Sequence, residues 1–435
     1  MEYRACAAQI RGQVQSEDGQ QQSTQTSLAV VPSERGRRAE GVLVSLTSEA
    51  RSSSDALAST EPVSPAKSDR ADPRIVSLDI VKGLMLIVSV GVDIWLGVPA
   101  WFDHVAWIGV HPMDWIFPTF VTLSGCGLAF ANARRVRPWP AARRVVILLS
   151  VGLVYNYVMV SGAPFHVSDL RLPGVLQLYA GVVIVLVLLH TVVKGWRQWA
   201  LVTVVLALLD TAVEWGWSVH CVGGALTPTC NPSHWIDYAI FGANHLYRNG
   251  SVGYDPEGLI SIVGAVVTAC LGATVGHALL ESRKGGGKRA SVLSVGSIIL
   301  SALALAALLD VFVPAFKKQW TPPFALLIGA CTAAVLLVAH LAVDAGPRSG
   351  DLPAPTRWAW PLIALGRNSL FVYFGSHALT AWLSVHTFDH VGYLTHFVNA
   401  IALAGHPAMT IFIVAEVFWI SLACLLHWRK IYLRP

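Results

Sequence analysis

The sequence is poor in charged residues for its length. Of its 435 residues only 13% are Asp, Glu, Lys or Arg, whereas 54% are apolar. Soluble domains carry about 25% charged residues, so this chain has too little polar surface to face water throughout. The shortage excludes an ordinary soluble protein of two or three domains and indicates segments that face lipid or one another. The net charge of +5 then reflects the sidedness of loops and does not indicate a nucleic-acid partner.

Common nucleotide and acyl-enzyme motifs are also missing from the sequence. It has no phosphate-binding Gly-rich loop, no dinucleotide fingerprint and no Gly-x-Ser-x-Gly nucleophile turn. These absences exclude the usual P-loop, Rossmann and α/β-hydrolase sites.

Aromatic residues are nearly absent from residues 1–74, which contain Tyr3 but no Trp or Phe. The same segment holds 9 Lys or Arg, 10 Asp or Glu, and a Gln-rich run at 20–25. Such a composition offers too little apolar surface to offset the loss of chain entropy on folding. We predict a disordered polar extension at 1–74, followed by a transmembrane domain at 75–435.

Ten long apolar runs follow from residue 75 onwards. A helix that crosses a bilayer needs roughly 20 such residues. We therefore predict an all-α polytopic membrane helix bundle with about ten transmembrane helices. Their approximate bounds are 75–98, 113–132, 144–160, 172–192, 198–215, 258–280, 290–313, 322–344, 359–385 and 408–427.

Lys and Arg alternate between rich and poor loops along the chain. Loops 133–143 and 281–289 are rich in them, whereas the loop at 99–112 has none. The positive-inside rule then places both termini in the cytoplasm, and an even number of spans agrees. Lys317 and Lys318 are the exceptions to the alternation. We expect a multi-pass protein of the plasma membrane, most simply a bacterial inner membrane.

Seven cysteines are present, and four of them lie within the apolar runs as small apolar fillers. Cys221 and Cys230 lie in the long loop at 216–257, which the charge pattern places outside the cytoplasm. A disulfide is chemically permitted there, so we expect these two residues to be linked. We expect no metal site, because no paired Cys and His spacing accompanies them.

The first apolar run contains three ionisable residues, Asp79, Lys82 and Asp93, on one helical face. Ionisable groups within a span are costly and need a partner or a function. Asp79 and Lys82 can pair with each other near the cytoplasmic end. Asp93 lies about 20 Å further along the helix, near the outer end, where we favour a functional role.

The segment that follows, 101–109, is aromatic, lacks Lys and Arg, and contains His104. An interfacial aromatic belt explains its Trp and Phe residues but not its histidine. Asp114 then opens the second span, where the helix dipole favours an acid. Asp114 is either a helix N-terminal cap or a carboxylate that fixes one tautomer of His104.

Two later segments also carry polar residues at helix starts or within spans. Asp255 and Glu257 precede the sixth span in Tyr-Asp-Pro-Glu-Gly, which is a good helix start. Asn368 and His377 lie too deep in the ninth span to reach water and need buried partners.

Eight short motifs occur in a fixed order, from Arg-Ile-Val-Ser-Leu-Asp-Ile-Val-Lys-Gly to Gly-Arg-Asn-Ser. They lie at 74–83, 104–109, 114–118, 171–177, 235–238, 244–247, 254–258 and 366–369. In this order they resemble the heparan-alpha-glucosaminide N-acetyltransferase family of multi-span membrane acyltransferases and its bacterial relatives. The resemblance runs across nearly all of 74–385 and includes the two cysteines of the outer loop.

The resemblance implies acetyl transfer from acetyl-CoA, as co-substrate, to an amine that is usually an amino sugar. His104 occupies the His-x-x-Trp-x-Gly position of the essential histidine, as base or acyl carrier. We expect Asp114, Asn368 and Asp93 to join it in catalysis. We expect Lys82, Asp79, Arg171 and Gln177 to serve acetyl-CoA binding, and Asp237, His245, Asp255 and Glu257 to serve acceptor binding. Departures such as Lys82 in place of the usual Arg leave the acceptor open.

Several alternatives stay open at this point. A multi-span small-molecule transporter would use Asp79, Lys82 and Asp93 as a proton relay, although no inverted repeat is visible. A second family of membrane acyltransferases expects a histidine where this chain has Asp93, and a non-catalytic scaffold is a further alternative. The acetyl group would pass through an acyl-histidine or directly within a ternary complex. Besides the bilayer, acetyl-CoA and the acceptor, a homodimer partner is conceivable.

Overall fold

The computed structural model describes residues 75–95, 98–160, 166–284, 287–345, 357–388, 391–401 and 406–432. The predicted polar extension at 1–74 lies outside the described residues. The described part is an all-α bundle, which confirms the predicted fold class. Its one sheet, within these ranges, is the short antiparallel pair β1 (Thr387–Phe388) and β2 (Val391–Gly392).

The helices of the described residues follow the apolar runs closely. They are α1 (Val76–Ile94), α2 (Ile116–Asn132), α3 (Pro138–Val160), α4 (Val175–Val192), α5 (Trp196–Ser218), α6 (Pro232–Phe241), α7 (Leu259–Ser282), α8 (Gly287–Asp310), α9 (Pro322–Val343), α10 (Trp360–Arg367), α11 (Ser369–Val385), α12 (Tyr393–Ile401) and α13 (Pro407–Trp428). Short 3₁₀ turns precede α2 at Pro112–Trp115 and occupy Val167–Asp169, Ala243–His245 and Tyr247–Gly250.

Eight helices in the described ranges are long and apolar enough to cross a membrane, against about ten predicted from the sequence. Helix α1 differs because it carries three charged residues within 19 positions. The predicted ninth run differs because Asn368 interrupts it with φ −111° and ψ 25°, which leaves α10 and α11 as separate shorter helices. The span number is therefore approximate, whereas the multi-span membrane architecture is confirmed.

Helix α7 lies at the centre of the bundle and packs against α2, α4, α5, α8 and α9. Two glycines allow its close approach to α2. Gly125 lies against the backbone of Ala269, and Gly272 lies against the backbone of Thr122. A side chain at either position would collide with that backbone, as expected where membrane helices pack through small residues.

Lipid-facing surfaces occur on the peripheral helices. Large apolar side chains on α3, α5, α8 and α13 are exposed, as expected for groups that meet acyl chains instead of water. Examples are Val146, Leu201, Leu209, Leu300 and Val417.

Three loops come together beyond the same ends of the spans and carry half of the predicted catalytic and binding residues. They are the α1–α2 loop, the long α5–α7 connection that contains α6, and the α8–α9 loop. A small apolar cluster joins them, with Cys221, Leu226, Val313 and Phe316 buried together and Trp107 packed against them.

Candidate active site

The Trp and Gly of the His-x-x-Trp-x-Gly motif hold the α1–α2 loop in place. Trp107 donates its indole N–H to the carbonyl of Leu226 at 2.9 Å, and its ring lies 5.4 Å from that of Phe316. Gly109 donates its backbone N–H to the carbonyl of Ala315 at 2.9 Å, with φ at 105°. Such a φ favours glycine, because a Cβ would be strained there. These two residues therefore dock the loop, which leaves its histidine free for chemistry.

Asp114 and His104 form a short hydrogen bond within this loop. Nδ1 of His104 lies 2.6 Å from Oδ1 of Asp114. Asp114 is fully buried. The carboxylate also accepts the backbone N–H groups of His111 at 3.0 Å and Val105 at 3.3 Å. An ionised carboxylate only accepts hydrogen bonds, so Nδ1 carries the hydrogen and Nε2 keeps its lone pair. Asp114 thus fulfils both interpretations: it caps the 3₁₀ turn Pro112–Trp115 and orients the imidazole.

Lys317 reaches the same histidine from the α8–α9 loop. Its Nζ lies 2.9 Å from Nδ1 and 3.3 Å from Nε2 of His104, and 3.4 Å from Oδ1 of Asp114. The lysine side chain is only 16% exposed. Nζ lies nearer to Nδ1, which donates its hydrogen to Asp114, than to Nε2, so the ammonium is beside the ring and off the axis of the Nε2 lone pair. Asp114, His104 and Lys317 therefore form a three-residue cluster.

Burial and the lysine decide the protonation of this cluster. The pKa of His104 falls from 6.5 to about 4, first because burial disfavours the imidazolium and then because the Lys317 ammonium repels it. The hydrogen bond to Asp114 opposes this shift without reversing it. Burial also lowers the pKa of Lys317 to about 8, against the attraction of Asp114. At neutral pH the histidine is neutral and the lysine is mostly charged, so the 2.6 Å contact is a hydrogen bond from a neutral imidazole.

Arg171, Asp255 and Glu257 form a second charged cluster at the start of α7. Nη2 of Arg171 lies 2.6 Å from Oδ1 of Asp255 and 2.5 Å from Oε2 of Glu257. The guanidinium also lies over the ring of Tyr247, 4.8 Å from its centroid. Burial alone would lower the pKa of Arg171, but the two carboxylates outweigh it and hold the pKa above its ordinary value. The arginine charge, predicted for acetyl-CoA, is therefore already balanced by protein groups.

Asp237 and His245 connect the outer loops to the helices. Asp237 accepts the hydroxyl of Ser233 at 2.6 Å and the backbone N–H of Leu259 at 2.7 Å, which caps α7. Burial raises its pKa to about 6. Nδ1 of His245 lies 2.8 Å from the carbonyl of Leu170. The structure thus brings the four residues predicted for acceptor binding into one region, where three of them also support the loops.

Asp93 lies near the C-terminal end of α1. Its Oδ1 is 3.9 Å from Nε2 of His377 on α11, and its Oδ2 is buried without a hydrogen-bond partner among the described residues. His377 is oriented by a 2.8 Å contact between its Nδ1 and the carbonyl of Tyr373. Asp93 therefore has one carboxylate oxygen available inside the bundle.

Three further predicted residues lie towards the other end of α1. Asp79 and Lys82 are in its first two turns, and Gly366, two residues before Asn368, packs against the backbone of Asp79. Asp79 is 14 positions before Asp93, about 21 Å along the helix axis. The structure therefore does not bring Asn368 or Lys82 to His104, and the side chain it places there is that of Lys317.

Two polar side chains point into the bundle between α3 and α4. Gln177 lies against Gly152, and its amide N and O are buried without a hydrogen-bond partner in the described ranges. Arg144 donates to the hydroxyl of Tyr179 at 3.2 Å and lies 3.5 Å from Oγ of Ser124. Both groups face the interior and not the lipid.

Cys221 and Cys230 are joined by a disulfide, with Cα atoms 5.8 Å apart. It closes the loop that contains Leu226, the acceptor of the Trp107 indole. Across the residues that the structure describes, no group of three or more His, Cys, Asp or Glu side chains could hold a metal ion.

No family model matches the chain. Two curated proteins are similar to it over most of its length, and both are named heparan-alpha-glucosaminide N-acetyltransferase. The protein from Homo sapiens is 25% identical over 87% of this chain and 64% of its own length. The protein from Mus musculus is 23% identical over 82% of this chain and 60% of its own length.

The chain is related at family level to heparan-alpha-glucosaminide N-acetyltransferase. The predicted family resemblance is thereby confirmed. The chain spans less than two thirds of the length of these curated relatives.

Lys317 is the residue of the cluster that sequence analysis did not select. In the sequence, Lys317 is an exception to the charge alternation, since it lies in a loop that the alternation predicts to be poor in Lys and Arg. That exception was the available signal: a cation placed against the positive-inside rule needs another explanation. Its distance of 213 positions from His104 hides the contact from any local pattern.

Proposed function

We propose that the protein is a multi-span membrane acetyltransferase that moves an acetyl group from acetyl-CoA to an amine, of the amino-sugar type, on the extracytoplasmic side. The observation that carries this proposal is the buried Asp114–His104 pair, with Nε2 available at neutral pH. The family-level similarity to two N-acetyltransferases supports the reaction class.

The chemistry requires a base at the outer end of the bundle. An amine is mostly ammonium at neutral pH and attacks a thioester only after it loses a proton. A neutral imidazole that keeps a lone pair on Nε2 can accept that proton, or can itself attack the acetyl group. Asp114 fixes the tautomer that both routes need.

Acetyl-CoA reaches His104, in this proposal, from the cytoplasmic side through the bundle. Arg144 supports such a route, because its guanidinium points into the bundle towards Tyr179 and Ser124. An arginine present only because of the positive-inside rule would point to the membrane surface. Phosphate groups pair well with guanidinium. Gln177, whose buried amide lacks a partner in the described ranges, would face the pantetheine arm.

The acceptor would lie beside the Arg171–Asp255–Glu257 cluster and Asp93. Glu257 is close enough to Lys317 to raise the pKa of the lysine, which links this acidic cluster to the catalytic one. An amino sugar offers one amine and several hydroxyl groups, and Glu257 and the free oxygen of Asp93 suit those groups.

The test is acetyl transfer from labelled acetyl-CoA to glucosamine by the purified protein in detergent. We expect His104→Ala to keep the fold, since a loop histidine fills little core, and to lower transfer by ~10²-fold or more. His111→Ala serves as the control histidine of the same loop. Wild-type transfer by His104→Ala together with an inactive His377→Ala would show that the site is elsewhere.

We place the protein in the plasma membrane, a bacterial inner membrane, with both termini in the cytoplasm. The Lys and Arg distribution supports this orientation. In intact cells, an impermeant maleimide should label a cysteine introduced at Asn249 and not one introduced at Arg137. The opposite labelling would reverse the orientation.

A transporter is the second candidate, and one observation favours it. Asp210 and Glu214 lie one turn apart on α5, both buried, and neither oxygen of Glu214 has a hydrogen-bond partner among the described residues. Buried acids within a span are typical of proton relays. Proton-coupled uptake by reconstituted vesicles without any CoA release would favour this alternative.

A further inference from the structure

Lys317 is held rigidly in the α8–α9 loop. The residue before it, Phe316, is 1% exposed and donates its backbone N–H to Oγ1 of Thr321 at 3.0 Å. Thr321 returns its own N–H to the carbonyl of Phe316 at 3.2 Å. The adjacent Ala315 accepts the N–H of Gly109, so this loop and the His104 loop are joined by their backbones. The ammonium is therefore placed by the fold and not by a flexible side chain alone.

The simple role of neutralising Asp114 does not account for this placement. The Asp114 carboxylate already accepts three hydrogen bonds, and Nζ of Lys317 is closer to Nδ1 of His104, at 2.9 Å, than to Oδ1 of Asp114, at 3.4 Å. A cation held against a histidine opposes protonation of that histidine. Lys317 also lies on the side of the membrane where Lys and Arg are scarce.

We propose that Lys317 is a catalytic residue whose ammonium donates a hydrogen bond to the thioester carbonyl oxygen of acetyl-CoA as that oxygen becomes negative. This inference rests on the acetyl transfer proposed above. Asn368, which the family resemblance suggested for catalysis, lies towards the other end of α1 and away from His104.

The geometry suits this role. An amine that presents its N–H to Nε2 of His104 holds the acyl carbon about 3 Å from the attacking nitrogen in a reactive arrangement. An ammonium 3.3 Å from Nε2 is then within reach of the carbonyl oxygen of the same acyl group. A preorganised donor at that oxygen is the usual means of stabilising a tetrahedral intermediate.

The transfer balances as follows for direct attack. The amine nitrogen forms a bond to the acyl carbon, the carbonyl π pair moves to oxygen, and His104 takes the amine proton on Nε2. The oxyanion, hydrogen-bonded to Lys317, then re-forms the carbonyl as the carbon–sulfur bond breaks. CoA leaves as a thiolate and receives the proton from His104, and the bonded nitrogen gives its remaining extra proton to solvent, so an acceptor that arrives as ammonium yields the amide, CoA thiol and one proton. In the acyl-histidine route the same oxygen carries the charge, and Lys317 acts in the same way.

Charge at this site has a definite pH dependence. Asp114, Lys317 and Lys318 act on His104, and Asp114, Lys318 and Glu257 act on Lys317. Activity requires a neutral His104, whose pKa is about 4, and a charged Lys317, whose pKa is about 8. The charge of Lys317 is one of the causes that lower the pKa of His104. Without that charge, the pKa of His104 should lie closer to 6.5.

The first measurement is independent of acetyl transfer. Diethyl pyrocarbonate modifies neutral imidazole, so the pH dependence of its reaction with His104, followed by peptide mass spectrometry, reports the pKa of this residue. We expect Lys317→Met to raise that pKa and Lys318→Met, the matched charge removal in the same loop, to raise it less. His111 on the same segment serves as the internal reference. Equal pKa values of His104 in wild type and Lys317→Met would overturn the contact.

The second measurement tests catalysis with labelled acetyl-CoA and glucosamine. We expect Lys317→Met to lower kcat by about 10²–10³-fold, the usual effect of losing one oxyanion donor, with little change in KM for acetyl-CoA. Lys317→Arg should recover part of the rate and lose the decline above about pH 8. Titration of the acceptor amine changes both rates equally. The ratio of the Lys317→Arg rate to the wild-type rate at each pH is therefore independent of it.

The outcomes separate the two proposals. An inactive His104→Ala beside a fully active Lys317→Met would overturn the role of Lys317 and leave the proposed function intact. A wild-type protein that transfers no acetyl group would overturn the proposed function itself, and with it the catalytic role of the lysine. Lys318→Met should retain the wild-type rate, which controls for a loss of loop charge alone.

Discussion

Two charged clusters lie in loops at the same end of the bundle, and they differ in how completely the polar atoms of their acids and histidine are used. In the cluster of Arg171, Asp255 and Glu257, the single cation contacts both acids, and Asp255 accepts two backbone N–H groups as well. In the cluster of His104 and Asp114, the acid is equally saturated, but Nε2 of the histidine has, among the described residues, only Lys317 nearby, at 3.3 Å and off its lone-pair axis. A cluster that served only as a support would be expected to place a hydrogen-bond donor on the Nε2 lone pair of His104.

This difference teaches how to tell a support from a reactive site. Both clusters are buried, both lie in segments that resemble family motifs, and both were selected from the sequence. The acids and the histidine separate them: Asp255 and Glu257 are paired with Arg171, although Nε of Arg171 has no partner among the described residues. A structural network satisfies most of its buried polar groups, whereas a reactive group must keep an atom free for its substrate.

Arg171→Met should destabilise the fold by about 3–5 kcal/mol, because it leaves Asp255 and Glu257 buried without their cation. The measurement is the thermal unfolding midpoint in detergent. Arg248→Met is the matched control, since Arg248 also lies over the Tyr247 ring but is exposed. The triple variant Arg171→Met, Asp255→Asn, Glu257→Gln should regain part of the stability. If Arg171→Met unfolds like wild type but transfers no acetyl group, the cluster is part of the reactive site.

Cys221→Ser with Cys230→Ser should cost at most about 2–3 kcal/mol, the chain-entropy value for a loop of this size. The loss arises because the unfolded chain, no longer cross-linked, gains conformational entropy. Peptide mapping of the wild type without reductant should show the two cysteines linked. Two free thiols in freshly isolated membranes would contradict the assignment, and Cys331→Ser provides a control for loss of a thiol.

Asp114→Asn should lower transfer less than His104→Ala, by roughly tenfold, equivalent to about 1.4 kcal/mol in the barrier. The substitution removes the group that orients the imidazole but leaves the base itself. The measurement is acetyl transfer to glucosamine at saturating acetyl-CoA. A loss larger than that of His104→Ala would mean that the carboxylate acts directly on the substrate.

Much of this molecule could be predicted from its residues. The long apolar runs gave the helices, because a span must satisfy its backbone internally and only a helix does so in one segment. Asp114 could be paired with His104 because they are ten positions apart and share one loop. The interruption at Asn368 was not predicted, since the apolar pattern continues through it. The inner location of Asn368 was likewise hidden, because it depends on where Gly366 packs against α1.

By itself, then, the sequence determined the properties that are local: helical spans, the charge asymmetry of the loops, and the histidine and acid of the α1–α2 loop. The tertiary structure alone decided which distant groups share that site. It joined Lys317 to His104 across 213 positions and closed Arg171 onto Asp255 across 84. The physical reason is the separation along the chain over which each effect acts. Hydrophobic periodicity acts over a few turns of chain, whereas a buried charge is stabilised only by the particular groups that packing brings within a few ångströms of it.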